Sequence, residues 1–318
     1  MGKLLAGLLF FSLAISLHAQ SHKRVDTVVF ESAVLHSKAP FRIILPEGYD
    51  QGEERYPVLL LLHGFGDTYS AWTEKTYIVL YTRRYPLIIV MPDGKTGWYA
   101  NGAGSGVRWE DYIMKDLVPY VDAHYRTLQD QGRIAVAGLS MGGYGAIKLG
   151  LKYHETFSFA ASLSGVLGIT DRTDEQMGKW GDEFVHSVHD AFGPAGSPAR
   201  AANDPKQLLD IPAAEIPFLY VDWGTEDDLL PDSRRFSELL QAKHFPHEYR
   251  ERTGVHDWLE WDHQIQEVLR VLAERWQLRL SVQLSGIDNR NHYNLLRDIA
   301  GGTYGGDILY IAHTTSRL

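Results

Sequence analysis

The sequence predicts an α/β protein in which a mostly parallel sheet carries helices on both of its faces. Four short, nearly continuous apolar runs have the pattern of strands buried on both faces, at residues 57–62, 87–91, 133–137 and 216–221. Helical patterns lie between these runs, and strands that alternate with helices indicate a parallel sheet. The 318 residues are 44% hydrophobic and 22% charged, which is enough apolar material for a large core.

The first 19 residues have the pattern of a secretory signal peptide. Lys3 supplies a positive charge, residues 4–17 are apolar, and the small residue Ala19 precedes a polar segment. A membrane anchor is the alternative, but the apolar stretch is shorter than the roughly 20 residues of a spanning helix and contains Ser12 and Ser16. We therefore expect cleavage near Ala19, and a secreted or periplasmic protein that is free of the membrane afterwards.

Residues 20–280 are assigned to the α/β domain. The segments 25–37 and 41–46 are rich in β-branched residues and partly alternating, which predicts antiparallel strands at an edge of the sheet. Helices are predicted at 142–153, 258–276 and 109–125. In the last of these, apolar residues recur every four positions, at Ile113, Leu117, Val121 and Tyr125.

Two segments interrupt the alternation of strands and helices. Residues 169–215 are polar and contain several Gly and Pro, and we expect them to form an insertion over the carboxyl ends of the strands. Long insertions of this kind often act as lids or substrate walls. Residues 281–318 form a C-terminal extension with two Gly-Gly pairs and a short apolar run, a pattern compatible with a small hairpin, and its role is unknown.

The strongest chemical signal is the segment Gly138 to Gly143, which reads Gly-Leu-Ser-Met-Gly-Gly. It follows an apolar strand and precedes a predicted helix, which is the context that a nucleophile elbow requires. A tight turn there forces the serine into strained dihedral angles and lifts its hydroxyl clear of the sheet, and the flanking glycines remove side chains that would collide. Ser140 is the predicted nucleophile.

A serine hydroxyl needs a base to take its proton, and the base needs an acid to hold its tautomer. In this arrangement the acid and the histidine follow the serine along the chain. Asp227 lies in a loop after the strand 216–221 and is the predicted acid. Three neighbouring carboxylates stay open as alternatives on spacing alone, namely Asp222, Glu226 and Asp228.

The predicted base is His256, in a Gly-containing loop directly before the last helix, from which it can reach back to the elbow. His247 and His263 are the nearest competitors, but the first lies beside a predicted strand and the second lies within a helix.

Attack on an ester carbonyl generates an oxyanion, which needs preorganised donors. The backbone N–H of Met141, the residue after the nucleophile, is expected to be one of them. The second is expected to be the N–H of Phe65, in the loop 63–67, because Gly64 and Gly66 let the backbone approach the substrate. We expect His63 to pin this loop rather than to take part in catalysis.

Composition excludes several other functions. Cysteine is absent, which rules out disulfides, thiolate catalysis and cysteine-based metal sites. The net charge of −9 and the lack of a Lys/Arg run argue against nucleic acid as the main partner. No His-Glu-x-x-His or comparable ligand spacing occurs, so no cofactor and no metal is implied.

Five motifs in this order resemble the esterase-D-like α/β-hydrolases, a family that includes tributyrin-type, feruloyl and acetylxylan esterases, S-formylglutathione hydrolases and mycolyltransferases. The motifs are His63 to Asp67, Pro92-Asp93-Gly94 with Trp98-Tyr99, Gly138 to Gly143, Gly224 to Asp227, and Gly254 to Trp258. The resemblance covers roughly residues 41–276 and implies an α/β-hydrolase fold. It also implies Ser140 as nucleophile, Asp227 as acid and His256 as base, with Phe65 and Met141 as oxyanion donors.

The sequence restricts the choice of substrate less than it restricts the type of reaction. Among the members of this family, S-formylglutathione hydrolase is the least expected, because this chain has a predicted signal peptide and no cysteine. Esters of plant polymers or cell walls are more compatible with a secreted enzyme. Aromatic residues expected near the mouth of the site could stack a phenolic acyl group, chiefly Trp98, Tyr99 and Trp258, with Trp109 nearby.

The leading hypothesis is a secreted serine carboxylesterase that works through an acyl-enzyme, on feruloyl or acetyl groups of plant polysaccharide or on a small-molecule ester. Two alternatives stay open: an acyltransferase with a sugar hydroxyl as acceptor, and a catalytically silent carbohydrate-binding module with the same fold. Nothing in the sequence indicates an oligomeric state.

Overall fold

A computed structural model of the chain describes residues 24–128, 130 and 132–279. Eight strands form one sheet in the order β1-β2-β4-β3-β5-β6-β7-β8. β2 pairs antiparallel with β1 and β4, and all other neighbours are parallel. The strands are β1 Val25–Ser32, β2 Ser37–Ile44, β3 Val58–Leu62, β4 Ile88–Pro92, β5 Ile134–Leu139, β6 Phe157–Leu163, β7 Phe218–Gly224 and β8 His247–Arg252.

The predicted fold class is confirmed, with the antiparallel pair at one edge of the sheet as expected. β6 was not predicted, and β8 was anticipated only as a strand of unstated bounds beside His247. β8 reads His-Glu-Tyr-Arg-Glu-Arg and pairs only with β7, and all six of its residues are half-buried. The predicted signal peptide, at 1–19, and the C-terminal extension, at 281–318, lie outside the described residues.

Ten α-helical segments are found in the described residues: α1 Ala71–Lys75, α2 Ile78–Tyr81, α3 Trp109–Asp111, α4 Val118–His124, α5 Met141–Lys152, α6 Asp174–Met177, α7 Asp182–Phe192, α8 Pro198–Ala202, α9 Leu230–Ala242 and α10 Trp258–Trp276. A π-helical segment, Tyr112–Leu117, joins α3 to α4, so the helix predicted at 109–125 is continuous but wider in its middle. None of the described helices is long and apolar enough to span a bilayer.

The central strands are apolar throughout because they are buried on both faces. Leu60 and Leu62 of β3 belong to one hydrophobic cluster, and Leu59 and Leu61 belong to the cluster on the opposite face. Successive side chains of a strand point to opposite sides of the sheet, so each side is covered by its own layer of helices.

The insertion predicted at 169–215 connects β6 to β7 and contains α6, α7 and α8. It spans the carboxyl edge of the sheet. The ring of Phe184 contacts Phe65, with their centroids 5.1 Å apart. Five residues earlier, Lys179 Nζ lies 3.0 Å from the carboxylate of Asp228, next to the predicted acid. The insertion therefore bridges the two loops between which the predicted nucleophile lies.

Candidate active site

Ser140 occupies the turn between β5 and α5. Its backbone has φ 51° and ψ −117°, a conformation that is strained for a residue with a side chain. Glycine is needed on both sides of the turn. A Cβ on Gly138 would lie 2.4 Å from the Gly142 carbonyl oxygen, and a Cβ on Gly142 would lie 2.6 Å from the carbonyl oxygens of Leu62 and His63. The geometry expected of a nucleophile elbow is present.

The structure brings the serine, the histidine and the aspartate together. The Oγ of Ser140 is 2.9 Å from Nε2 of His256, and Nδ1 of His256 is 2.7 Å from Oδ2 of Asp227. The other carboxylate oxygen of Asp227 accepts the N–H of Leu229 at 2.9 Å. The Asp227 side chain is 1% exposed and that of His256 is 32% exposed. The hydrogen bonds therefore connect a buried carboxylate to a solvent-accessible imidazole.

The competing residues have other partners. Asp222 is fully buried on β7 and binds Arg252 and Tyr220, whereas Asp228 is 81% exposed and pairs with Lys179. His247 contacts the Phe245 carbonyl and the Ser237 hydroxyl. In the part of the chain that the structure describes, none of the rivals, which also include Glu226 and His263, forms a hydrogen bond with the Ser140 hydroxyl, whose partner is His256.

Two glycines that the sequence analysis did not single out as functional allow the acid and base loops to meet. A Cβ on Gly224, at the end of β7, would lie 2.2 Å from the carbonyl oxygen of Gly254. That same oxygen accepts the N–H of Glu226 at 3.0 Å, and the N–H of Thr225 donates to the Arg252 carbonyl at 2.7 Å. The backbone contacts therefore fix the acid loop against the base loop.

A buried ionic cluster, made of Asp222, Arg252 and Glu260, lies beneath the base loop. Arg252 donates to both carboxylate oxygens of Asp222, and its Nε is 3.3 Å from Glu260 Oε1. Burial raises the pKa of Glu260 to about 8, with nearby carboxylates adding to the effect and Arg252 opposing it. A Cβ on Gly254 would lie 2.4 Å from Glu260 Oε2, so this carboxyl packs directly under the loop that carries His256.

The expected oxyanion donors lie on either side of the nucleophile. Met141 begins α5, and its N–H is one of the free donors of the first helical turn. Gly64 packs so closely that a Cβ there would be 3.5 Å from the Cβ of Ser140, which brings the neighbouring Phe65 beside the serine. Within the part of the chain that the structure describes, neither of these two N–H groups has a hydrogen-bond acceptor.

His63 pins the Gly64–Phe65 peptide, in agreement with the expectation that it holds this loop. Its Nδ1 donates to the Gly64 carbonyl at 2.8 Å, and its Nε2 accepts the N–H of Gly94 at 3.0 Å. These partners define the neutral imidazole with its hydrogen on Nδ1. Asp93 Oδ1 lies 3.3 Å from the same Nε2 but accepts the N–H of Lys95 at 2.9 Å.

Comparison with known proteins assigns the family. The family model "Esterase: Putative esterase" matches residues 32–272. The chain belongs to this esterase family. The resemblance drawn from the five motifs is therefore confirmed.

Individual relatives agree with the assignment. An esterase of Mycobacterium tuberculosis is 31% identical over 268 residues, which cover 77% of this chain and 58% of that protein. The matched region thus spans little more than half of that relative. A substrate-bound fluorophosphonate-binding serine hydrolase of Staphylococcus aureus has a TM-score of 0.69 and 27% identity, covering 78% of this chain and 97% of its own. A ferulic acid esterase has a TM-score of 0.65 and 26% identity, covering 79% and 97%.

The prediction that Trp98 and Tyr99 contact substrate is wrong. Trp98 and Tyr99 have no exposed surface, and their backbones have φ 54° and 50°, which belong to the left-handed region. The indole of Trp98 donates to Ser187, and the hydroxyl of Tyr99 donates to the His63 carbonyl. Both rings are core residues, and Tyr99 supports the loop 63–67 through its contact with His63.

Trp258 is half-buried and packs edge-on against Trp72 and Trp261, with Lys75 Nζ 5.0 Å from its ring centroid. Its contact with substrate stays a prediction. An aromatic wall that was not predicted from the sequence is formed by Phe65, Trp180 and Phe184. Within this wall the centroids of Trp180 and Phe184 are 4.9 Å apart. The two insertion residues fall in the segment read as a lid, which was the only available signal for them.

Proposed function

We propose that this chain is a serine carboxylesterase in which Ser140 attacks the ester, His256 transfers the proton and Asp227 holds the imidazole. The observation that carries the proposal is the continuous hydrogen-bond chain from Ser140 Oγ through His256 to Asp227, at 2.9 and 2.7 Å. The buried carboxylate favours the tautomer with the hydrogen on Nδ1, which leaves Nε2 free to accept the serine proton.

In acylation, Oγ of Ser140 bonds to the ester carbonyl carbon while its proton moves to His256 Nε2. The carbonyl oxygen takes the negative charge and accepts hydrogen bonds from the N–H groups of Phe65 and Met141. When the tetrahedral intermediate collapses, the carbon–oxygen bond to the alcohol breaks and His256 gives its proton to the departing oxygen. The acyl group stays on Ser140.

In deacylation, water attacks the acyl-enzyme and gives a proton to His256. The second tetrahedral intermediate uses the same two donors, and its collapse returns the proton to Ser140 and releases the carboxylic acid. A sugar hydroxyl in the place of water would make the reaction an acyl transfer, which is distinguished by analysing products with and without xylose as acceptor.

We further propose that the acyl group is aromatic, as in feruloyl esters of plant polysaccharide, and that the protein acts outside the cytoplasm after removal of residues 1–19. The wall made of Phe65, Trp180 and Phe184 reaches from the oxyanion loop into the insertion, and a planar acyl group can stack or pack edge-on against such rings. The similarity to a ferulic acid esterase supports this substrate class.

The test compares wild type with Ser140→Ala on methyl ferulate, p-nitrophenyl acetate, acetylated xylan and S-formylglutathione. We expect Ser140→Ala to lose hydrolysis of every substrate and to lose labelling by a fluorophosphonate probe. Hydrolysis that persists in this variant would overturn the proposal. Preference of the wild type for S-formylglutathione over methyl ferulate would overturn the aromatic acyl class alone.

The aromatic wall is tested with Trp180→Leu, because this ring is half-buried and contributes less to folding than a core residue. The variant should lower kcat/KM for methyl ferulate about tenfold relative to p-nitrophenyl acetate, which has no acyl ring. Trp276→Leu, a change to a half-buried tryptophan at the far end of α10, is the matched control and should leave this ratio unchanged.

A further inference from the structure

A second cavity, of about 350 Å³, opens at the carboxyl edge of the sheet beyond the oxyanion loop. Its walls come from the turn before β2, the loop between β4 and α3, and the end of α7. Side chains that can form hydrogen bonds line it, namely Ser37, Lys95, Thr96, Ser105, Trp109 and Asp190. None of them belongs to the proposed catalytic machinery.

Among the residues that the structure describes, three polar groups of this cavity have no side-chain partner, whereas the Ser105 hydroxyl accepts the N–H of Val107 at 3.3 Å. Within the described residues, no side-chain hydrogen bond or ion pair is formed by the ammonium of Lys95, the carboxylate of Asp190 or the indole N–H of Trp109. Lys95 and Asp190 are exposed and opposite in charge, so the lining carries no net charge from this pair. A phosphate would be repelled by the carboxylate and a cation by the ammonium. The chemistry favours a neutral ligand rich in hydroxyl groups.

The cavity is preorganised. Lys95, Trp98 and Tyr99 all have positive φ, so three strained residues fall within five positions, and such strain clusters at functional sites. The buried ammonium of Lys148 holds the strained loop by donating to the Tyr99 carbonyl at 2.6 Å, and Glu110 neutralises this lysine at 2.7 Å.

The opposite wall of the cavity is also fixed. The backbone N–H groups of Gly104 and Ser105 donate to the carbonyl of Asp190, and the N–H of Ala103 donates to the carbonyl of Ala191. The backbone of the loop is thereby fastened to the end of α7. A ligand would meet a wall whose backbone is already ordered.

The cavity lies on the same edge of the sheet as the proposed ester site. β4 is separated from β5 by one strand, so at roughly 4.8 Å per strand spacing the β4 loop lies about 10 Å from the nucleophile along the same edge of the sheet. On α7, Asp190 follows Phe184 by six residues, which is about 9 Å along the helix axis from the aromatic wall.

We propose that this cavity binds a sugar unit of a neutral oligosaccharide whose ester is held at Ser140. Sugar hydroxyls both donate and accept, which matches the ammonium, carboxylate and hydroxyls of the lining, and the apolar face of a pyranose packs against an indole ring. The inference rests on the proposed function for the identity of the ester, but the binding of the sugar does not depend on catalysis.

Binding is therefore tested first, without turnover. The full chain carrying Ser140→Ala is titrated with xylotetraose, cellotetraose and maltotetraose by isothermal calorimetry. We expect at least one of them to bind, and the added change Asp190→Ala to weaken that binding about tenfold through loss of hydrogen bonds to a charged acceptor. Trp109→Phe, which keeps an aromatic ring of smaller size but removes the N–H, should also weaken it.

Glu238→Ala is the matched control, since this exposed acidic residue lies on α9, near the opposite edge of the sheet. It should leave the affinity unchanged. Failure of all three tetrasaccharides to bind, or binding that is equally strong in Asp190→Ala and Glu238→Ala, would overturn the proposal.

Turnover gives a second, independent measurement. In an otherwise wild-type chain, Asp190→Ala should lower kcat/KM for a feruloylated xylo-oligosaccharide about tenfold relative to kcat/KM for methyl ferulate. An unchanged ratio would overturn the sugar site while leaving the esterase intact. A wild-type protein that hydrolyses neither ester would refute the proposed function, and the calorimetric result would still decide the sugar site.

Discussion

His63 provides a test of how the proposed oxyanion site is built. Its Nδ1 donates to the Gly64 carbonyl, and this carbonyl shares a planar trans peptide with the N–H of Phe65. Because the two groups of such a peptide point in opposite directions, a donor that holds the carbonyl also aims the N–H. His63 is thus expected to orient the oxyanion donor without touching the substrate.

The expected loss of kcat follows from the number of hydrogen bonds that hold the Gly64 carbonyl. The Gly64 carbonyl accepts two hydrogen bonds, from His63 at 2.8 Å and from the N–H of Asp67 at 3.2 Å. Loss of a whole oxyanion donor costs roughly 10²–10³ in kcat. Loss of one of two anchors removes about 0.5–1.5 kcal/mol, which corresponds to roughly two- to tenfold. The effect should fall on kcat rather than KM, since the contact strengthens only in the transition state.

The experiment compares His63→Ala with His63→Asn, using p-nitrophenyl acetate at a temperature where both variants are folded. Both lose the acceptor for the Gly94 N–H, but the asparagine amide keeps a donor close to the position of Nδ1. His63→Asn should therefore recover most of kcat while remaining as unstable to heat as His63→Ala. Equal kcat in the two variants would refute the orienting role, and a loss above about 10³ would mean that His63 takes part in the chemistry itself.

Three further predictions concern the acid loop and the base loop. Asp227→Asn should lower kcat by about 10³–10⁴ with little change in thermal stability, because the imidazole then favours the wrong tautomer; a loss below tenfold would contradict this. Gly224→Ala should destabilise the fold by about 1–3 kcal/mol in urea unfolding, since its Cβ meets the Gly254 carbonyl, whereas Gly52→Ala, which meets nothing within 4 Å, should be neutral. Burial raises the pKa of Glu260 from 4.5 to about 8, so the native state holds this proton more tightly and the free energy of unfolding should fall as pH rises from about 5 to 8. Glu260→Gln should flatten that slope, and an unchanged slope would contradict the assignment.

The parts of the fold that could be predicted are those in which burial on both sides leaves no room for polar residues. β3 and β4 read as unbroken apolar runs for this reason. The bounds of β8 could not be read from the sequence because it is an edge strand, and its arginines and glutamates pair along the strand and with α9 and α10. Edge strands commonly carry such charges, which prevent pairing with another sheet.

The site residues could be predicted where the local backbone geometry requires particular residue types at fixed positions. The turn around Ser140 requires glycines at fixed positions, so the sequence itself records the strain of the elbow. Asp222 and Asp227 lie within a few residues of each other, and spacing could not separate them. The distinction is three-dimensional: Asp222 still lies on β7, where Arg252 of β8 engages it, while Asp227 lies beyond the strand and faces His256.

Trp98 and Tyr99 illustrate a different limit. Two aromatic residues in a loop at the carboxyl edge were expected to contact substrate, but left-handed backbone angles turn both rings into the core. A sequence does not show that a bulky residue adopts positive φ, because this conformation is favoured mainly by glycine and is imposed here by tertiary contacts.

Strained backbone conformations are concentrated at the carboxyl edge of the sheet, where the proposed sites lie. Among the described residues, eight that are not glycine have positive φ, and six of these lie in loops at the carboxyl ends of the parallel strands or the turn beside them: His36, Lys95, Trp98, Tyr99, Ser140 and Ser164. Strain that arose from packing errors would be spread over both edges of the sheet. Its concentration on one edge means that the buried sheet holds unfavourable loop conformations in place there, which fixes the proposed nucleophile and the proposed sugar-binding cavity within the same rigid framework.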